Sequence, residues 1–348
     1  MHETAGSGWD DPTTENGFYD LDRACSLSCV VDADRATHAT RTSPPPRFVS
    51  SYDGMIAPVV AAPNCLAAAA DGVSLDGFVV CTDPTDGLSS TRTRTGMPSA
   101  IAYTDRIWIA DRDPNGASHV FAGDDLVAVS ETDVRTLVAH RGAAYWIDGN
   151  ERIRRATEPG QLETVARVSR VDARFLAVDD GAFYVVRGGA LVRILRDGGA
   201  PRTLDIARSP IRDVIVSGEW LYWTELGESR LHCNHDGTRP NCEARSRPIV
   251  HYSGSLRRVR TAPPFDSQTL ATGLEDIGGI LVVRSFAYVT SKSGVARIPL
   301  SGGSSLTIFP TDAPAFGRPT VDTISWTLFV ATHPDRAGRH AEIVAVSP

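Results

Sequence analysis

The stretch GEWLYWTEL, Gly218 to Leu226, sets two tryptophans and a tyrosine in one short run and places an acid, Glu225, just before its end. That much ring surface in a water-soluble chain has to be buried against something. Related runs recur along the sequence: FVVCTD from Phe78, IWIADR from Ile107, AYWIDG from Ala144, FYVVRG from Phe183, AYVTSK from Ala287 and LFVATH from Leu328. Each is a short apolar strand that turns polar within a few residues. Each follows another β-prone run, such as RTLVAHRG or RDVIVSGE, across a turn bearing Gly, Asp or Ser. This is hairpin punctuation.

The runs start 29, 37, 39, 38, 66 and 41 residues apart. A period of about 40 residues with several strands per unit marks propeller blades. Third and fourth strands surround Gly-Gly turns in ALVRILRDGGAPRTL and GVARIPLSGGSSLTIF. No long window keeps an apolar period of about 3.6, which excludes a helical fold. One four-stranded sheet has two apolar faces and can bury neither alone. Radial stacking buries both and leaves only short edges. Such sheets diverge from a crowded centre, so second-strand aromatics are expected to fill the widening gaps. The alternative roles for these rings are carbohydrate stacking and cation binding.

LYWTE (Leu221–Glu225) and AYWID (Ala144–Asp148) resemble the YWTD-type propeller repeat of lipoprotein-receptor ectodomains and bacterial secreted proteins. FYVVR, AYVTS and LFVAT keep the strand and lose the acid. The resemblance implies a six-bladed ring used for protein binding or as a structural module. Counting units in this chain favours seven blades, with six as the alternative. In that alternative, residues 61–83 form a hairpin appended to the ring. The last unit, Pro319–Pro348, has three strands and needs a fourth from upstream, near Arg47–Ser51 or Ser90–Thr95. The fold expected is therefore an all-β propeller over residues 61–348, its ring closed by strands from both chain ends. Residues 1–60 form an N-terminal extension, linker-like at RTSPPPRF (Arg41–Phe48), where three prolines forbid ladder pairing. The spacing of 66 hides an insertion at about residues 232–256. Long loops on rigid scaffolds are where binding concentrates.

The six cysteines fall into three local pairs, Cys25–Cys29, Cys65–Cys81 and Cys233–Cys242. An even count in close pairs reads as disulfides, and hence as an extracytoplasmic location. MHETAGSGWDD is polar and acidic, so an export signal is absent from this sequence and would have been removed before it. No run of about 18 apolar residues offers a transmembrane segment. Net charge is −7, which argues against nucleic acid as a partner. The partner expected is a protein or a small-molecule ligand. Lys292 is the sole lysine, so Schiff-base chemistry has a single seat.

DRDPNG (Asp111–Gly116) begins like a calcium loop, with Asp111, Asp113 and Asn115 as candidate ligands, since hard cations want several oxygens on a tight turn. Its twelfth position is Ala122 where a bidentate acid would stand. Asp-Pro-Asn-Gly is also a good type I turn. TDPTDG (Thr82–Gly87) reads the same way. HCNHDG (His232–Gly237) offers donors that suit zinc, but a Cys233–Cys242 bridge would consume the thiols. The residues ending the aromatic strands, Asp83, Asp111, Asp148, Arg187, Glu225, Ser291 and His333, are expected to point to one end of the ring. They could be turn caps. In the enzyme alternative they support a metal-assisted hydrolase or lyase of the lactonase sort at the central mouth, with His333 as base, Arg187 as oxyanion partner, and Asp148 and Glu225 as further candidates. There is no P-loop, His-Glu-x-x-His or nucleophile elbow.

Overall fold

The computed structural model describes the backbone of residues 47–346 apart from 54, 63–64, 72–76, 83–88, 94–96, 104, 114, 233–248, 311–314, 322–326 and 333–339. Every regular element among the described residues is a β-strand. The first sheet holds β2 (Met55–Ala62), β3 (Cys65–Asp71), β4 (Gly77–Thr82) and β5 (Ser89–Thr93); the next holds β6 (Met97–Tyr103), β7 (Ile107–Arg112), β8 (Ser118–Ala122) and β9 (Asp125–Ser130). Then come β10 (Val138–His140), β11 (Ala143–Asp148), β12 (Arg152–Ala156) and β13 (Leu162–Arg167), followed by β14 (Asp172–Val178), β15 (Ala182–Arg187), β16 (Ala190–Leu195) and β17 (Arg202–Ile206). A fifth sheet contains β18 (Ile211–Ser217), β19 (Trp220–His232), β20 (Ile249–Arg260) and β21 (Ser267–Glu275), and a sixth β22 (Ile280–Val283), β23 (Phe286–Ser291), β24 (Gly294–Pro299) and β25 (Leu306–Pro310). The last joins β26 (Ala315–Val321), β27 (Leu328–Thr332) and β28 (His340–Val346) to β1 (Arg47–Asp53), giving seven four-stranded sheets among the described residues.

The first strands lie side by side in a closed circle. β2 touches β6 and β26, β6 touches β10, and contact continues through β14, β18 and β22 back to β26. The chain is thus an all-β propeller, and its ring is closed by strands from both ends as expected. β1 runs antiparallel to β28, with Arg47 opposite Ala345 and Asp53 opposite His340.

Three sequence readings are corrected. The ring begins at Arg47, so β1 and β2 belong to it and not to an N-terminal extension ending at residue 60. Second, FVVCTD is the third strand of its sheet, not the second. The second is CLAAAAD, and the step from Cys65 to Ile107 is 42 residues, in phase with the other units. Residues 61–83 are therefore part of a full sheet rather than an appended hairpin. Third, the extra length near 232–256 is partly strand: β19 and β20 stay paired out to His232 and Ile249, beyond a bulge between Glu225 and Glu228. Gly227 sits in that bulge at φ +76°, and a Cβ there would meet the Ser253 carbonyl oxygen at 1.8 Å.

The aromatics lie between sheets. Tyr145, Tyr184, Tyr222 and Tyr288 each pack with residues of the following sheet, while Trp146 and Trp223 pack with the preceding one. Alternation along a strand produces this: neighbouring side chains face opposite ways, so one strand fills two gaps. At the centre, Asp213 on β18 accepts the Ile280 backbone N–H of β22 at 2.9 Å and the Arg318 Nε–H of β26 at 3.0 Å. One carboxylate ties three consecutive first strands.

Burial raises the Tyr184 phenol far above the ordinary tyrosine range, and Asp179, which accepts its O–H at 2.6 Å, adds to the rise. Burial also raises Tyr222 and Tyr288. The folded state holds these protons more tightly than the unfolded chain does. Their stabilisation is complete below the unfolded value of about 10 and is lost progressively as pH climbs from there through the raised folded values. The urea midpoint is expected to fall above about pH 10, and to fall less steeply in Tyr184→Phe. An equal slope in the two proteins would remove Tyr184 as a cause.

Candidate functional site

Second strands run outward from one face of the ring and end on the other. On that second face the 2–3 turns meet the connections between sheets. Asp111 is fully buried at the end of β7, opposite His119, whose Nδ1 stands 3.5 Å from its carboxylate. Asp113 turns its carboxylate into its own loop: Oδ1 accepts the backbone N–H groups of Asn115 at 2.8 Å and Ala117 at 3.0 Å. Those bonds describe the turn of the sequence reading. Among the described residues no group of three or more His, Cys, Asp or Glu is arranged to hold a metal.

Asp148, at the end of β11, caps its turn in the same way. Its Oδ1 accepts the N–H groups of Asn150 and Arg152, and Oδ2 accepts Arg152 Nε–H at 2.9 Å. Glu225, 2% exposed, is the centre of a buried cluster. It accepts Trp223 Nε1–H at 2.6 Å, Arg257 Nη1–H at 3.0 Å and the Arg208 backbone N–H at 3.3 Å. Arg257 also donates to Asp205 on β17, across the gap to the preceding sheet, at 3.0 Å. Arg187 ends β15 exposed, and Ser291 donates to the Gly294 carbonyl at 3.2 Å. These carboxylates thus serve turns and sheet contacts through N–H donors on the backbone, Arg and Trp.

His333, Asp83 and the loop TDPTDG beyond Thr82 lie outside the described residues, as do Cys25, Cys29, Cys233, Cys242 and most of HCNHDG. Asp83 also follows a third strand, so it is not a member of the ring of second-strand ends. Cys65 and Cys81 fall on β3 and β4, where Cys81 stands opposite Ala67. That places the two cysteines diagonally, with a Cα separation of about 7–8 Å, long for a bridge.

Clefts open on this face among the described residues, including the following two. The first, of about 270 Å³, lies between the second and third sheets where Glu131 of the β9–β10 connection meets Trp146, Asp148, Asn150, Arg152 and Arg154. Next in sequence to its lining residues, Gly149 N–H donates to Thr132 Oγ1 at 2.6 Å, and a Cβ on Gly149 would meet Thr132 Cγ2 at 2.3 Å. The second, of about 290 Å³, is bounded by Asp172, Arg174, Gly189 and the β17–β18 connection at Arg208 to Pro210. Burial alone would raise the Asp172 carboxyl, but hydrogen bonds from Arg174 hold it below its ordinary range. The paired outer parts of β19 and β20 continue past Glu225, and so rise from the same side as both clefts.

The sequence reading located Asp148 and Glu225 but missed Arg154 and Arg257. Arg154 stands opposite Trp146 and Arg257 opposite Trp223. The signal available was an Arg-Arg pair on the strand after each best motif, in RIRRA and SLRRVR.

No family model matches this chain, and no curated relative does. Solved propellers do match. The WD40 β-propeller domain of Doa1 aligns with a TM-score of 0.57 at 12% identity, over 86% of this chain and 96% of that one. YCF48 bound to D1 peptide gives 0.54 at 9% identity, over 86% and 95%. The computationally designed Ika8 protein gives 0.52 at 12% identity, over 86% and 98%. Such identities show the shared fold alone.

Proposed function

We propose that this chain is an exported, YWTD-like propeller that docks a partner protein on the face where the second strands end. The observation that carries the reading is the gathering of two clefts and the β19–β20 arm on one side of a rigid ring. Loops held by such a scaffold are the usual seat of recognition. A neighbour of the same fold, YCF48, was solved with a peptide bound, which supports the reading by analogy. The export part rests on the sequence spacing of Cys25 and Cys29 and of Cys233 and Cys242.

Cross-linking the purified chain in envelope and cytoplasmic extracts tests both parts. Partner cross-links are expected from the envelope fraction, clustered around residues 131, 152, 208 and 228. Replacing residues 233–248 by a short Gly-Ser turn is expected to weaken capture. Cross-links clustered instead at the opposite turns, around Arg141 and Arg284, would overturn the docking face. A partner found in the cytoplasmic fraction alone would overturn export.

A further inference from the structure

The two units whose second strand carries adjacent Tyr and Trp follow that pair with different acids, and the difference leaves a hydrogen-bond donor over. Trp146 and Trp223 hold the same place in β11 and β19, and each faces an arginine on the third strand. In the later unit Glu225 completes the set, its Oε1 accepting both Trp223 Nε1–H and Arg257 Nη1–H. In the earlier unit the acid is Asp148, shorter by one methylene. Its oxygens are engaged by its own turn and by Arg152, and Arg154 Nε stays 3.9 Å away. The Trp146 side chain is 1% exposed, and its indole N–H meets no acceptor among the described residues. A buried donor without an acceptor is costly and asks for an explanation. The first cleft lies at this place. Arg154, which gives one N–H to Thr164, lines it. Its apolar walls are Leu162 and Val129, a valine left 56% exposed on an outer strand.

We propose that this cleft receives an acidic side chain of a partner protein, whose carboxylate accepts from Trp146 Nε1 and Arg154 as Glu225 does two sheets further on. The proposal rests on the docking reading and names the chemistry recognised at that face. Glu131 lines the same cleft and repels an anion, so the acid enters from the Arg154 side. Asp148 is matched by Arg152 at 2.8 Å and opposes entry less. Aliphatic residues flanking the acid pack on Val129 and Leu162. Charge-assisted bonds of this kind are the strong ones, and they reject an amide of the same shape.

The probe is acetyl-Leu-Glu-Val-amide, with acetyl-Leu-Gln-Val-amide and sodium acetate as comparisons, added to the full chain labelled with nitrogen-15. The Trp146 indole resonance is assigned by its loss in Trp146→Phe. The Glu peptide is expected to move that resonance downfield and to bind about tenfold more tightly than the Gln peptide, a difference of about 1.4 kcal/mol. Asp148→Glu restores the missing methylene, so its Trp146 resonance is expected to be shifted without peptide and to respond no further. Equal responses to Glu and Gln peptides, or acetate acting as strongly as the peptide, would overturn the proposal. A peptide that binds while Trp146 stays unmoved would overturn it too, yet leave the docking face standing. Cross-links on the opposite turns remove the docking face itself.

Discussion

Replacing Arg257 by methionine is expected to lower the free energy of unfolding by about 3–5 kcal/mol, the range for a buried ion pair deprived of one member. Arg257 is 5% exposed and bonds two carboxylates, Glu225 in its own sheet and Asp205 in the one before. Methionine can fill much of the volume, and the aliphatic stem of arginine was already packed. What it cannot do is match the Glu225 charge. That carboxylate would keep only the Trp223 and Arg208 N–H donors, in a place water does not reach. Against a total stability of about 5–15 kcal/mol the loss is a large share. Urea titration checks it, as a lower midpoint with an unchanged slope. Adding Glu225→Gln should return part of the loss, because an amide oxygen still accepts from Trp223 without a buried charge. A midpoint equal to the parent's would show that the cluster contributes nothing net.

Removing residues 1–53 is expected to have a larger effect still, abolishing the single cooperative transition. The deletion takes away β1, and with it the six paired positions that cover β28. The last sheet keeps three strands, and β28 becomes an open edge carrying unpaired backbone groups. Such an edge invites pairing with another chain. Thermal unfolding together with sedimentation checks this: broad melting and self-association for the chain starting at Gly54, but parental behaviour for one starting at Arg47. A sharp monomeric melt for the shorter chain would mean that closure by β1 is dispensable.

How much of this was legible follows from what a strand records in its own residues. The tyrosines and tryptophans announced the gaps they fill, because ring size depends on position within a widening wedge and alternation is local. Ring closure was legible for a similar reason, since three strands in the last unit demand a fourth. Phase was not legible in the first unit. Its second strand, CLAAAAD, carries alanines where the others carry rings, so FVVCTD, the third strand, is the more conspicuous run. The arm was read as loop because an extension of paired strands past a bulge leaves no break in composition. At the candidate site, Asp148 and Glu225 stood out as acids ending aromatic strands. Their arginine partners did not, because facing positions depend on register, and the β19–β20 hairpin separates Trp223 from Arg257 by a long excursion. The orphaned Trp146 donor turns on one methylene, which pattern alone cannot weigh.

The placement of Tyr145, Tyr184, Tyr222 and Tyr288 towards the following sheet, and of Trp146 and Trp223 towards the preceding one, bears on how such a chain is built from units. The unit of packing is the seam between neighbours, with half of its filling encoded in either unit. Duplicating a unit therefore copies the right half of one joint and the left half of another. The newcomer fits wherever adjoining copies still resemble its parent, and drift in one blade must be answered by its neighbour.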